Sequence, residues 1–196
     1  MARPERDFEL VQIMDASTAD AARRAGRWLA CRLGCTECCH GAFPINALDA
    51  ERLRAGMEAL GGTEPELAAE VKRRALAWID AHGPAFPGDV STGILESARD
   101  SGEFEDFSGD AVCPALDPAT GRCDVYAWRP MTCRVFGPPV RVAEGEALGC
   151  CELCFVGAKD EEIAACEMLV PHELEDRLLE ELGETGQTVV AFVLVR

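Results

Sequence analysis

Cys31-Arg-Leu-Gly-Cys35-Thr-Glu-Cys38-Cys39 sets four thiols within nine residues, and His40 follows at once as a fifth candidate ligand. Thiols held this close repel one another as they ionise unless a cation or an iron-sulfur core neutralises them. Left bare, they would be reactive and prone to oxidation. The Cys35-x2-Cys38 step is a common chelate spacing, because two intervening residues let the chain turn and aim both sulfurs at one ion. Gly34 supplies a permissive backbone just before it. Free cysteine is also among the most buried residue types, which accounts for an isolated thiol but poorly for a cluster.

Further thiols follow the same logic. Cys113, Cys123 and Cys133 are separated by nine residues each, and Asp117-Pro118-Ala119-Thr120-Gly121 is a turn signal midway between the first two. A hairpin closed there brings Cys113 and Cys123 side by side. Arg129-Pro130-Met131-Thr132-Cys133 reads as the start of a short helix, with Pro130 tolerated at its first turn, and this swings Cys133 back. Arg129 and Arg134 flank that sulfur, as counter-charges to a thiolate centre or as partners of surface carboxylates. Cys150-Cys151-Glu-Leu-Cys154 mirrors the order at Cys35 to Cys39. Neighbouring side chains of a doublet leave the backbone in different directions, so both sulfurs seldom serve one mononuclear ion.

Around these segments the sequence reads as a small single domain, residues 1–196, of the helix-rich α+β class with short hairpins. Its motif segments are 31–39, 113–136 and 150–154, expected to converge on a metal centre, with a helical insert at 46–82. Residues 1–14 show no clear period. A helix is expected from Ser17 as N-cap, with Ala21, Ala25, Trp28 and Leu29 on one face and Gly34 as its stop, which puts Cys31 on the last turn. Asn46 can cap a second helix carrying Leu53, Met57 and Leu60, ended by Gly61-Gly62. Thr63-Glu-Pro-Glu66 reads as a capping box for a third, with Leu67, Val71, Ala75, Trp78 and Ile79 inward and Gly83-Pro84 as its end.

Residues 83–110 read as an irregular surface connection with one short helix near Ile94 to Ala98. Pro138 to Ala147 suggests a hairpin around Glu144-Gly145. A helix is expected from Asp160 to Leu169, with Cys166 inside it as a plain core cysteine. Another carries Leu174, Leu178 and Leu182 to Gly183, and Val189 to Val195 reads as a buried strand. His82 and His172 fall at helix ends and read as caps or surface residues.

Bulk composition narrows the classes. A formal charge of −16, from 19 basic against 35 acidic residues, argues against nucleic acid as a partner and fits a solvated acidic surface, with a protein partner left open. Eleven cysteines, about 6% of the chain, fall below the density of a disulfide-built scaffold. No apolar run reaches membrane-spanning length, and the charged first residues precede no signal-like apolar stretch. A cytoplasmic location is therefore expected, where clustered cysteines point to metal or catalysis rather than disulfides.

Cys31-x3-Cys35-x2-Cys38-Cys39, then Cys113-Pro-x-Leu, then Gly121-x-Cys123-x-Val-Tyr126-x2-Arg129-Pro130-x2-Cys133-Arg134-x-Phe136, resembles the YkgJ-like cysteine-cluster (CxxCxxCC) family of zinc- or iron-chelating domains. The resemblance implies eight metal-binding cysteines. Cys31, Cys35, Cys38, Cys39, Cys113, Cys123 and Cys133 supply seven. The eighth falls among Cys150, Cys151 and Cys154, and Cys154 is preferred because it stands clear of the doublet.

Eight thiolates suit two four-sulfur sites, of zinc or of iron, including a 4Fe-4S cluster. The larger flagellin lysine N-methylases of the family imply an alternative, an iron-sulfur enzyme using S-adenosylmethionine. Cys31-x3-Cys35-x2-Cys38 also spells the radical S-adenosylmethionine spacing, but Glu37 stands where an aromatic is usual and no strand-helix succession suits the partial barrel. No Gly-x-Gly-x-x-Gly loop and no catalytic triad are evident. Thiol redox or metal handling is the remaining class.

Overall fold

The computed structural model describes residues 4–96, 107, 109, 111–141 and 148–196. Its first helix, α1 (Asp7–Ala25), buries Leu10, Met14, Ala21 and Ala25 along one face. It begins well before Ser17, whose hydroxyl donates to the Leu169 carbonyl at 2.7 Å instead of capping a helix. Gly26 ends it with φ of 50°, its N–H closing on the Ala22 carbonyl. Gly34 is therefore not the stop, and Cys31 lies beyond the helix in irregular chain.

Asn46 caps α2 (Ala47–Thr63), its side-chain oxygen accepting the Asp49 N–H at 3.0 Å. The helix runs through Gly61-Gly62, because the Glu64 N–H still closes on the Leu60 carbonyl. The expected capping box does not form. Thr63 Oγ1 donates back to the Ala59 carbonyl at 3.1 Å, and Glu64 takes the N-cap position of α3 (Pro65–His82). Val71, Ala75 and Trp78 are buried along α3 as expected, Leu67 and Ile79 lie partly buried against the core, and Gly83 follows as the C-cap.

Short hairpins follow. β1 (Gly88–Asp89) pairs antiparallel with β2 (Ile94–Leu95), so the helix expected near Ile94 is extended chain there. The Asp89 carboxylate accepts from the Ser91 N–H and the Thr92 hydroxyl, closing the turn, and Leu95 N–H donates to the Gln187 carbonyl at 2.9 Å. Residues 97 and 98 lie outside the described residues. β3 (Leu116–Asp117) pairs with β4 (Arg122–Cys123) across the expected Asp117 to Gly121 turn, and α4 (Met131–Val135) follows with Pro130 as its N-cap. β5 (Val140–Arg141) pairs with β6 (Leu148–Gly149); the expected Glu144-Gly145 turn lies outside the described residues.

The last third departs from expectation twice. α5 spans only Asp160–Ala164, because the chain leaves it to bridge Val140, with Met168 N–H donating to the Pro139 carbonyl at 2.8 Å. Cys166 is buried as expected but lies past that helix. After α6 (His172–Leu182), closed by a left-handed Gly183, residues Val190–Leu194 form helix α7 rather than a strand. Every residue of α7 is buried and it packs on both α2 and α3. A short apolar run carries no period that separates strand from buried helix. The chain does extend just before it, where Thr188 and Ile45 exchange both backbone hydrogen bonds at 2.8 and 3.0 Å.

A buried ionic cluster joins the layers. Arg52, 1% exposed, bonds Asp7 of α1 through Nε at 2.9 Å and Asp49 of α2 through Nη1 at 2.6 Å. Asp49 also accepts the Met131 N–H at 2.8 Å, which fixes the start of α4. Burial pushes the Asp49 carboxyl up to about 6 against the opposing pull of Arg52. Among the described residues, no helix is long and apolar enough to cross a membrane.

Two stability predictions follow from these contacts. Arg52→Ala removes the guanidinium that two buried carboxylates share and is expected to cost about 3–5 kcal/mol in urea unfolding. Asn46→Ala, which removes a cap, is expected to cost about 1 kcal/mol. A loss for Arg52→Ala no larger than that for Asn46→Ala would contradict the structural weight given to the cluster.

Candidate metal centre

The scaffold leaves a cleft of about 610 Å³, with Thr18 of α1, Leu53 of α2 and Val190 of α7 among its lining residues. Its walls come from three stretches far apart in sequence. Cys31, Cys35, Cys38 and Cys39 line it from the first stretch, Cys113, Cys123 and Cys133 from the second, and Cys151 from the third. Among the described residues, Glu37 is the sole carboxylate in that lining, against Arg32, Arg122, Arg129 and Arg134.

Backbone bonds hold the stretches together. The Cys113 N–H donates to the Cys39 carbonyl at 2.7 Å, and Gly41 N–H to the Ala111 carbonyl at 2.9 Å, around an antiparallel bridge between His40 and Val112. The β3–β4 hairpin is pinned to α3 by Arg74, whose Nε donates to the Pro114 carbonyl at 2.9 Å and whose Nη2 meets Asp124 at 2.5 Å. At the other end, Phe155 N–H donates to the Trp28 carbonyl at 2.8 Å and Ala30 N–H to Cys154 Sγ at 3.4 Å. Cys151 N–H reaches the Gly137 carbonyl at 3.4 Å. Gly137 has φ of 120°, and a Cβ there would stand 2.7 Å from Cys31 Sγ.

Not every candidate ligand faces the cleft. Cys154 is buried behind the lining, against Cys31 and Cys151. Cys150 is exposed, and Cys166 packs in the apolar cluster with Ala25 and Phe155. His40 is exposed, with Nε2 3.4 Å from the Thr36 hydroxyl. Sequence reasoning favoured Cys154 over Cys151 because it stands outside the doublet, but Cys151 is the residue of that segment on the cleft wall.

Burial and mutual repulsion decide the charge of these thiols. Burial pushes Cys113 up to about 12 and Cys123 to about 11, and it raises Cys133 as well. Cys31 is raised to about 12 by burial and by Cys154, Cys35 and Cys151. Cys38 runs the other way, lowered to about 7 by a hydrogen bond with Cys39 and by Arg129, while that same bond and burial raise Cys39. A bound cation inverts this balance, because it supplies the charge that ionised sulfurs lack.

Arg134 points to the same need. It is 3% exposed, its Nη1 meets Asp15 at 2.7 Å and its Nη2 the Ala127 carbonyl at 2.6 Å, yet among the described residues its buried Nε has no partner. An orphaned guanidinium N–H on a cleft wall fits an anionic centre in that cleft, as thiolates around a metal would be. Arg129 stacks 4.0 Å over the Tyr126 ring beside it. The donor set, soft sulfur with one carboxylate, suits zinc or iron and is a poor match for magnesium or calcium. Among the described residues, no three His, Cys, Asp or Glu side chains already stand in ligating geometry.

No curated protein and no solved structure matches the chain. A family model does, over residues 30–155, and its description reads "Putative zinc- or iron-chelating domain". Those residues take in all three cysteine stretches and more than half of the sequence, so the chain belongs to the CxxCxxCC family.

Proposed function

We propose that this protein binds zinc or iron through the thiolates around the cleft: Cys31, Cys35, Cys38, Cys39, Cys113, Cys123 and Cys133, with a further ligand from the Cys150 to Cys154 segment. One observation carries the reading. Thiols from stretches more than a hundred residues apart, Cys31 and Cys151, line a single cleft that holds one carboxylate among the described residues. All of these cysteines are free thiols in the structure. The sulfur-rich lining is equally compatible with a second reading of the same site, an iron-sulfur core in place of mononuclear ions. Arg129 and Arg134 offset the negative charge that either centre would carry.

Metal bound this way ties loops together more than it builds the core. The cluster of Leu53, Val71, Ala75, Val193 and Leu194 buries apolar surface between helices without any metal. A zinc site in a small peptide is worth roughly 10 to 16 kcal/mol, comparable with a domain's net stability of about 5–15 kcal/mol. Metal therefore adds a large increment to a scaffold that can fold by itself.

Anaerobic purification followed by zinc, iron and acid-labile sulfide counts tests the reading, with at least one metal per chain expected; sulfide in step with iron marks the cluster form. A chelator is expected to lower the thermal midpoint and open the 29–39 loop to protease while leaving most of the helical circular dichroism. Metal-free protein of unchanged stability would overturn the proposal. Gly137→Ala, which drives a methyl group into Cys31, is expected to reduce metal retention. Gly157→Ala, with a similarly positive φ of 77° but nothing near its Cβ, is expected to leave retention unchanged.

A further inference from the structure

We infer that the mouth of the cleft is a binding site for a small organic carboxylate with an apolar body, its charge met by Arg32 and Arg122. The inference goes beyond metal chelation and does not depend on what the thiols hold.

Two arginines without a partner carry it. Among the described residues, every other arginine has a hydrogen bond, an ion pair or a ring contact. Even the arginines with no carboxylate in reach are engaged: Arg27 lies over the Trp28 ring, and Arg196 donates to the Ser91 carbonyl. Arg32 and Arg122 have none of these contacts among the described residues, in a chain with 35 acidic residues against 19 basic ones. Both line the same cleft. Arg129 and Arg134, on its wall, are already held by Asp15, so the two unpaired guanidiniums are the ones open to a ligand.

The backbone brings Arg32 and Arg122 to one edge although 90 positions of sequence separate them. Arg122 opens β4 directly after Gly121, whose φ of 67° completes the Asp117 turn. A Cβ on Gly121 would stand 3.7 Å from Thr36 Cγ2 and 3.8 Å from Gly34 Cα, so this turn rests on the loop that carries Arg32. The Cys35 N–H donates to the Arg32 carbonyl at 2.9 Å, and the Gly121 N–H to the Asp117 carbonyl at 2.9 Å. Each arginine is therefore held by a closed turn rather than by open chain.

Apolar side chains stand in water beside these charges. Leu33 is 83% exposed and Tyr126 62%, and both line the cleft, as does the exposed Phe136. Large apolar side chains gathered at a cleft mouth mark a surface that a ligand covers. Leu33 and Phe136 can ligate no ion, so chelation gives them no role. The cleft, at about 610 Å³, lies within the range of small-molecule pockets, roughly 300–1,000 Å³.

Charge selects the head group. A guanidinium pairs with a carboxylate through two parallel N–H···O bonds. Glu37 and the thiols already place acidic groups in the lining, so a single negative charge is repelled less than the nearly doubled charge of a phosphate ester.

Phenylpropionate and octanoate, titrated into the full chain as purified anaerobically and followed by heteronuclear NMR, test the site. Saturable binding with a Kd of about 1 mM or tighter is expected, with shifts centred on Arg32, Leu33, Arg122 and Tyr126. The double variant Arg32→Gln, Arg122→Gln is expected to weaken it roughly tenfold. Each single variant repeats this arm should the double one fail to fold by circular dichroism. Leu33→Ser is expected to weaken octanoate binding, and Arg73→Gln, whose ion pair with Glu70 stands on the exposed side of α3, to leave both probes unaffected. Binding by neither probe, equal affinity for the uncharged phenylpropionamide, or undiminished binding by the folded arginine variants overturns the site. Tighter binding of phenylethyl phosphonate also overturns it, in favour of a doubly charged head group. Metal counted on the same samples separates the two readings. Metal loss from the arginine variants, with no probe bound by the native chain, returns both arginines to the thiolate centre and overturns the carboxylate site; probe binding by a native chain that holds no metal upholds the site and overturns chelation alone.

Discussion

Arg52 is the joint on which the arrangement turns. A guanidinium with 1% exposure is tolerable only while it is fully engaged, and here Asp7 and Asp49 engage it from two helices. Asp49 has a second task, accepting the Met131 N–H, so the charge that is satisfied inside the scaffold also sets where α4 begins and hence where Cys133 stands. The same network thus unites helix packing with the placement of one wall of the cleft. Its physical character matters as well. Its hydrogen bonds have preferred directions, so it constrains the orientation of the helices as well as their separation.

Much of the scaffold was legible because local chemistry and tertiary structure agree there. Asn46 caps a helix for reasons confined to its own side chain, Pro65 suits the first turn of the next, and the Asp117 to Gly121 turn closes its hairpin with the Asp117 carboxylate accepting from the Ala119 N–H and the Thr120 hydroxyl. The errors lie where a distant partner wins. Ser17 has a capping side chain, but the Leu169 carbonyl takes its hydroxyl. Thr63 bonds backward to Ala59 instead of forward. The Asp160 helix stops at Ala164 because residue 168 bridges Val140. Val189 to Val195 is as β-branched as a strand, yet its buried place between α2 and α3 favours a helix, which satisfies its own backbone.

At the site, the spacing of the cysteines announced the donor chemistry and grouped the three stretches, and the family match over residues 30–155 agrees with that grouping. Spacing could not say which thiol faces which. The spacing favours Cys154, which stands clear of the doublet, whereas the Gly137 and Ala30 contacts go with Cys151 on the cleft wall and Cys154 off it. Arg134 was visible as a nearby charge, but its unsatisfied Nε depends on where Asp15 and the Ala127 carbonyl lie, which no local pattern encodes.

The bond from Cys113 to Cys39 spans 74 positions of sequence, and the contact of Cys31 with Cys154 spans still more. Closing loops of that length is slow compared with forming helices, so the cleft is assembled late in folding, after α2 and α3 have docked. The four thiols of residues 31–39, by contrast, are near one another in any conformation of the chain. An ion met early would be within reach of these neighbours in sequence before the other walls of the cleft stand. For a chelating domain built this way, loading would be a matter of timing: the chain would gain by meeting its metal after the hairpin and the 151–155 turn are in place, or by binding it loosely enough at first to let it move.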